Sequence, residues 1–340
     1  MKTIKATRLH NYDEATAVRV EETTLREPQS CELLVRVHAA CVNPIDWKIR
    51  AGYMRQVTPL PLPFTVGGDF SGVVEAVGTY VAGFKVGDEV YGEASIFNRG
   101  SGSFAEYCIA RAGAVALKPQ SVSHADACRL PVAGVSALQA LTKQHRVSAG
   151  QRVLINGGAG IVGQLAIQLA KHLGAHVVAT VSADDIDYVK SLGADEVVAY
   201  DSREFEEVLC GFDAGLDMVG CDTYARPFRV LKRGVRLASM LEQPRPELTN
   251  DFWLEASALS KQVTTGRLTR LAELVDEGAL RFHVDETFPL ELAGAALLRM
   301  ETVPPRGQIV LKIAGRVEPS FNVRALPARP AAGGSYAGMR

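Results

Sequence analysis

The chain has 340 residues, 47% of them apolar and 22% charged, with a formal net charge of −1 at pH 7. That length holds two domains or one large one with a full hydrophobic core, and the charge balance argues against nucleic acid and anionic membrane surfaces as partners. No apolar run is long enough to cross a bilayer, and the N-terminus, MKTIKATRLHNY, is too polar for a signal peptide and too strand-like for a transit peptide.

About the first 125 residues are rich in Gly, Val and Pro. Alternating runs such as ELLVRVHAACV and FSGVVEAVG, punctuated by VGDEV and RGSGSF, predict short, irregular antiparallel strands. One stretch here, VGGDFSG at 66–72, packs Gly67, Gly68 and Asp69 together; they could line a phosphate cradle, supply half a metal site, or turn the chain. From about Pro131 apolar strands alternate with helical segments. Val153–Ile155, His176–Val181, Val197–Ala199, Leu216–Val219 and Val235–Ser239 read as strands, and helix-period segments between the earlier ones predict a parallel sheet with crossover helices, an α/β fold. After Ile313 the chain is Pro/Ala/Gly-rich without periodicity, and a disordered tail is expected over 316–340. The cysteines (31, 41, 108, 128, 210 and 221) lie far apart with no C-x-x-C, which predicts buried, reduced thiols and a cytoplasmic protein.

The most informative segment is VLINGGAGIVGQLAIQLAKHLGAHVVATVS. Gly158, Gly160 and Gly163 form G-x-G-x-x-G directly after an apolar strand, and Leu165, Ala166, Leu169, Ala170 and Leu173 keep one helical face apolar. In such a strand–helix–strand unit Gly158 is expected to make the tight turn, Gly160 to admit a pyrophosphate, and Gly163 to let helix and sheet pack closely. The first N–H groups of the helix, around Ile161, Val162 and Gly163, then face the phosphates with a partial positive charge. Dinucleotide binding follows. At the end of the second strand stand Val181 and Ser182, with no carboxylate before Asp184, so a ribose 2′-phosphate would meet hydroxyls. Tyr200, ending the third strand, adds a phenol. Asp184 and Asp185 oppose this, and no Lys or Arg is near; NADP(H) is expected over NAD(H).

NPIDWKIRAGYM, PFTVGGDFSGVVEAVG, VGDEVYG, GSFAEYCIA, LPVAGVSALQAL, the glycine motif, SLGADEVVAYD and RGQIVLKI together resemble the zinc-free quinone oxidoreductase branch of the medium-chain dehydrogenases/reductases, in its order, over about residues 1–313. The resemblance implies a GroES-like β domain over 1–125, completed by about 283–315, and a Rossmann doubly wound domain over 126–282, with the active site in the cleft between them. In zinc-dependent relatives the segment matching Gly67-Gly68-Asp69 reads Gly-His-Glu, its histidine binding zinc; here Gly68 stands in its place. Asn43, three before Asp46, replaces an early cysteine ligand, LPVAGVSAL has no cysteine, and YGEASIFNRGSGSF lacks the structural zinc lobe. Of the seven histidines only His172 and His176 share an i, i+4 spacing, and His176 opens a strand, so no alternative metal site is read. No zinc is expected.

Without a Lewis acid, reduction of a quinone or an enone C=C is favoured over alcohol oxidation, because hydrogen bonds can hold the delocalised oxyanion. No tyrosine has a lysine four positions on, which excludes the Tyr-x-x-x-Lys of short-chain dehydrogenases. By resemblance Asn43 faces the nicotinamide and its amide could hold a substrate oxygen; alternatively it caps the turn before Pro44. Asp46 lies near the site or fixes its loop, Trp47 packs, and the Tyr53 phenol or solvent protonates the product. Between Met240 and Leu268 the chain is shorter than usual in this family, with only QVTTG strand-like; a sixth Rossmann strand is stunted or missing, which puts the usual homodimer in doubt. The expected function is NADPH-dependent reduction of quinones or enones. The alternatives are an enoyl-thioester reductase of the same superfamily and a non-catalytic NADPH-binding sensor or structural protein.

Overall fold

The computed structural model describes residues 1–12, 17–56, 59–202, 204–220, 224–241, 245–252, 255–258, 262–282, 284–302 and 307–313, with the side chains of 251–261 and 284–285 left aside; Cys221 and the tail at 316–340 lie outside the described residues. The chain divides into two units. Among the described residues, unit 1 holds Met1–Val132, Val263–Glu277 and 282–313; unit 2 holds Ala133–Gln262 and Gly278–Arg281.

In unit 1 the alternating runs become β1 (Lys2–Leu9), β2 (Val18–Leu25), β3 (Glu32–Val42), β4 (Phe64–Thr65), β5 (Asp69–Val77), β6 (Glu89–Glu93), β7 (Tyr107–Arg111) and β8 (Val115–Leu117), with helices α1 (Pro44–Arg50) and α2 (His124–Ala127). β1 pairs antiparallel with β2 and β4. β3 is nearly all buried and both of its edges are paired: β5 runs along one, and β7 and a late strand share the other. Ile4, Ala6, Leu25, Leu34, Ala105 and Ile109 pack as one apolar cluster in this unit, each large aliphatic contributing about 1.5–3 kcal/mol on burial.

A helix, α3 (Leu130–Gln139), leads into unit 2, whose strands are β9 (Arg152–Asn156), β10 (His176–Val181), β11 (Glu196–Ala199), β12 (Ala214–Asp217), β13 (Arg236–Ser239) and β14 (Glu255–Ala258). Helices α4 (Ile161–His172), α5 (Ile186–Ser191) and α6 (Pro246–Phe252) lie among them. All six strands pair in parallel in the order β11-β10-β9-β12-β13-β14, so the order reverses between β9 and β12. In open sheets of this kind ligands bind beyond the strand C-termini at such a reversal. Leu154, Val178, Phe205, Leu209, Phe212 and Val230 pack on one face.

The chain then returns to unit 1 with α7 (Thr265–Asp276), β15 (Val284–Pro289), α8 (Ala293–Thr302) and β16 (Gln308–Lys312). β16 pairs with β3 through Ile309↔Val42 and Lys312↔Ala39, the closing strand that the resemblance implies.

Three expectations are corrected here. Residues 263–277 sit in unit 1 and not in the dinucleotide unit: Tyr91 Oη donates to the Leu268 carbonyl, and Asp276 Oδ1 accepts from the Ser121 N–H at 2.9 Å. The sixth parallel strand is present at Glu255–Ala258, as long as β11, β12 and β13, while QVTTG caps and opens α7 with the Thr264 hydroxyl. Cys31 and Cys210 are exposed, where all cysteines were expected buried; Cys41, Cys108 and Cys128 are buried.

Candidate functional site

In unit 2 the glycine motif follows β9 directly. The left-handed residue is Gly157, at φ +86°, one position before the expected turn glycine Gly158. A Cβ on Gly158 would lie 2.9 Å from the Ala179 Cβ, so this glycine lets the turn lie against β10. A Cβ on Gly163 would lie 2.2 Å from the Gly157 carbonyl, so Gly163 seats α4 on the turn. Gly160 differs from both: it is exposed, caps α4, and a Cβ there would meet only the Gly157 oxygen at 3.4 Å. The turn is thus closed behind Gly158 and Gly163 and open at Gly160. α4 is twelve residues long and starts at Ile161, with Val162 and Gly163 in its first turn and no side chain capping it. An open glycine face over an uncapped helix N-terminus fits a pyrophosphate, whose charge the N–H groups and the helix dipole favour.

The ends of the next strands carry Ser182 and Tyr200. Tyr200 is 49% exposed and its N–H donates to the Val181 carbonyl at 2.9 Å, which brings the two strand ends side by side. The Ser182 hydroxyl, expected to face a 2′-phosphate, instead donates to Asp185 Oδ2 at 2.7 Å. The Ala183 N–H donates to Asp201 Oδ2 at 3.0 Å. Two carboxylates therefore flank this turn, although neither stands at the strand end in the sequence.

In unit 1 the residues around the expected empty metal position form a buried polar cluster. Asn43 caps α1 and its N–H donates to Asp46 Oδ2 at 2.8 Å, so Asp46 holds the helix start. The Asn43 amide Nδ2 donates to Asp69 Oδ2 at 3.0 Å, and that oxygen also accepts from the Val132 N–H at 3.0 Å. Of the two roles expected for Asn43 the structure shows the cap, made by its backbone, while one of its two amide hydrogens is engaged by Asp69. Asn43, Asp46 and Asp69 are all buried.

Close by, the Arg129 guanidinium is 1% exposed and donates through Nε to Gln308 Oε1 at 2.7 Å, while Gln308 Nε2 reaches the Cys41 sulfur at 3.4 Å. Burial pushes the Cys41 and Cys128 thiols well above their ordinary range, with Arg129 the opposing charge. A neutral thiol beside a buried cation is a poor metal ligand. Among the described residues no group of three or more His, Cys, Asp or Glu is arranged to hold a metal ion. The stretch 66–72 has its own division of labour. Gly67 has φ +90° and a Cβ there would lie 2.2 Å from Phe104 Cδ1, whereas at Gly68 the nearest atom would be Ser95 Cβ at 3.5 Å. Gly67 is the turn, Gly68 has room for a side chain it lacks, and Asp69 is the hydrogen-bond acceptor. Tyr53 is 48% exposed and stacks edge-on to Trp47 at 5.8 Å between ring centroids.

The sequence reading missed Asn156, Gly157, Thr180, Asp217 and Ser239, which lie at the C-terminal ends of β9, β10, β12 and β13 or just beyond. A polar residue ending an apolar strand, as in VLIN and GLD, is the signal that would have marked two of them.

Two family models match the chain: the alcohol dehydrogenase GroES-like domain over residues 29–120 and the zinc-binding dehydrogenase over residues 192–311. The chain is 32% identical over 311 residues to the chloroplastic quinone-oxidoreductase homolog of Spinacia oleracea, covering 87% of this chain and 94% of that protein. It is also 32% identical over 322 residues to the chloroplastic NADPH-dependent alkenal/one oxidoreductase of Arabidopsis thaliana, covering 91% and 80%. Among solved structures, the quinone oxidoreductase from Coxiella burnetii matches with a TM-score of 0.82 at 33% identity, over 92% of this chain and 100% of that one.

Proposed function

The chain belongs to the quinone oxidoreductase branch of the medium-chain dehydrogenases/reductases, and from that premise we propose that it reduces quinones or the C=C bond of α,β-unsaturated carbonyl compounds with NAD(P)H. The observation that carries the nucleotide half is the glycine turn, closed at Gly158 and Gly163 and open at Gly160 above the α4 N-terminus. The acceptor half follows from the activities that the two similar plant proteins are named for.

Reduced nicotinamide supplies the hydride when bound. The chain's own residues bind and orient. The N–H groups at Ile161, Val162 and Gly163 hold the phosphates, and Ser182 and Tyr200 border the adenosine ribose. The second amide hydrogen of Asn43 holds the acceptor oxygen as charge develops on it, with Asp69 fixing the amide's orientation. Tyr53, exposed and braced by Trp47, delivers a proton to the product.

We take the site to work without zinc. Gly68 carries no ligand, the Asn43 amide is bonded to Asp69, and a buried guanidinium shares the cluster. NADP(H) is the preferred cofactor in our reading, supported by the Tyr200 phenol and by the NADPH dependence named for the Arabidopsis relative. Asp185 and Asp201 temper that preference, since a 2′-phosphate meets like charge there. The exposed free thiols of Cys31 and Cys210 support a reducing compartment, taken here as the cytoplasm.

A steady-state assay of NADPH and NADH oxidation against quinones, enones and a crotonyl thioester tests these points. Turnover is expected with a quinone or enone, with KM lower for NADPH than for NADH by less than about tenfold. Turnover of the thioester alone would replace the acceptor class, and binding of nucleotide with no turnover of any acceptor would overturn the enzymatic proposal. Activity abolished by chelators would overturn the metal-free site.

A further inference from the structure

A hydrogen-bonded chain runs across the strand ends of unit 2, where the sheet order reverses. The Gly157 N–H is shared between the Thr180 carbonyl at 3.2 Å and the Thr180 hydroxyl oxygen at 3.3 Å, and the Thr180 hydroxyl donates to Asn156 Oδ1 at 2.6 Å. Asn156 Nδ2 donates to Asp217 Oδ1 at 2.8 Å, and the Ser239 hydroxyl donates to Asp217 Oδ2 at 2.9 Å. Asp217 Oδ1 also accepts from the N–H groups of Val219 and Gly220, each at 3.2 Å. Thr180, Asn156, Asp217 and Ser239 are all buried.

Every member has a defined role in this chain. The amide of Asn156 links a hydroxyl donor to a carboxylate acceptor, an orientation that fixes which end is oxygen and which nitrogen. Asp217, as a carboxylate, is acceptor-only and gathers four donors, which is why the segment expected as strand to Val219 leaves the strand at Asp217. The two ends of the chain are the two backbone segments that border the strand C-termini. One is Gly157, the left-handed residue of the glycine turn; the other is the 217–220 loop. They lie close together: a Cβ on Gly157 would come within 2.9 Å of the Val219 methyl.

We infer that Asp217, acting through Asn156 and Thr180, is a positioning residue for nucleotide binding: it sets the glycine turn and the 217–220 loop in their binding shape before the cofactor arrives. This rests on the nucleotide-binding function proposed above. Four strand ends and two loops are held by one buried carboxylate, so loss of one link loosens the turn without emptying the apolar core.

The test is a fluorescence titration of NADPH and NADH into the full-length protein, with kcat at saturating cofactor and thermal unfolding measured alongside. Thr180→Val keeps the shape of the side chain and removes the link. It is expected to raise the nucleotide Kd about tenfold, the size of one lost buried hydrogen bond, with kcat within about twofold of the parent. Thr180→Ser, which restores the hydroxyl, returns Kd to the parent value. Asp217→Asn raises Kd further; should it fail to fold, the threonine pair decides alone. Unchanged Kd in Thr180→Val, or a raised Kd that Thr180→Ser leaves uncorrected, overturns the positioning role. Failure of the parent protein to bind either nucleotide would be seen before any variant, and would overturn the proposed function itself.

Discussion

Each unit buries an asparagine whose amide donates to an aspartate, and the two pairs differ in what surrounds them. In unit 2 Asp217 is held entirely by donors from strand ends and its own loop. In unit 1 Asp69 takes the Asn43 amide and the Val132 N–H, in a cluster that also holds the buried guanidinium of Arg129 and two neutral thiols. One pair organises backbone around a binding turn. The other sits in a buried cluster of hydrogen bonds that also holds a cation. The same two side chains thus do different work according to whether their neighbours are loop N–H groups or ionic side chains.

The contrast yields graded expectations. Asp69→Ala removes the acceptor of two buried donors, and a loss of about 2–5 kcal/mol is expected in urea unfolding, at about 1–3 kcal/mol for each donor left unsatisfied; a loss under about 1 kcal/mol would show that the Asn43 amide and the Val132 N–H find other partners. Asn43→Ala should lower kcat by about 10²–10³ if its second amide hydrogen holds the acceptor oxygen. An effect on stability without one on kcat would reduce Asn43 to a cap.

Acid affects both units in the same direction. Burial first, then the nearby His38 and Lys118, lowers the His124 pKa to about 4 in unit 1, against the pull of Glu89. Burial and Arg236 likewise lower His145 to about 4 in unit 2. The unfolded chain takes up these protons near the ordinary value of about 6.5 while the folded chain resists, so stability is full above that pH and falls as pH drops toward 4. A loss on the order of 2 kcal/mol per imidazole is expected by calorimetry between pH 7 and 4.5, and a flat profile would contradict it. The smallest effect is at Gly68. Gly68→Ala should change stability by less than about 0.5 kcal/mol, since its Cβ makes ordinary contacts. Gly67→Ala, strained at φ +90° and against Phe104, should cost several times more.

Much of this was readable from residues near one another in the chain. The β9–α4–β10 unit followed from an apolar strand, three spaced glycines and a helical stripe, because each depends on local backbone geometry and periodicity. The sixth strand was misplaced, because EASA carries no β-branched or aromatic residue and is a strand only by pairing with β13. Gly157 was passed over as the turn residue because the motif spacing marks Gly158, and only backbone angles separate the two. The acidic turn at Ser182 was legible in part, through Asp184 and Asp185, whereas Asp201 was not, since it comes from the far side of a crossover.

Composition, spacing and alternation were enough to specify a β-rich region, a parallel α/β region and a glycine turn between an apolar strand and a helix. Those properties reside in segments of a few to thirty residues, where steric limits and periodicity act directly. The clustering of Thr180, Asn156, Asp217 and Ser239 at one reversal of strand order, and of Asn43, Asp69, Arg129 and Gln308 around one buried charge, arose only on folding. Residues this far apart in sequence meet through strand pairing and core packing, and no local spacing encodes which polar side chains that packing will bring within hydrogen-bonding reach.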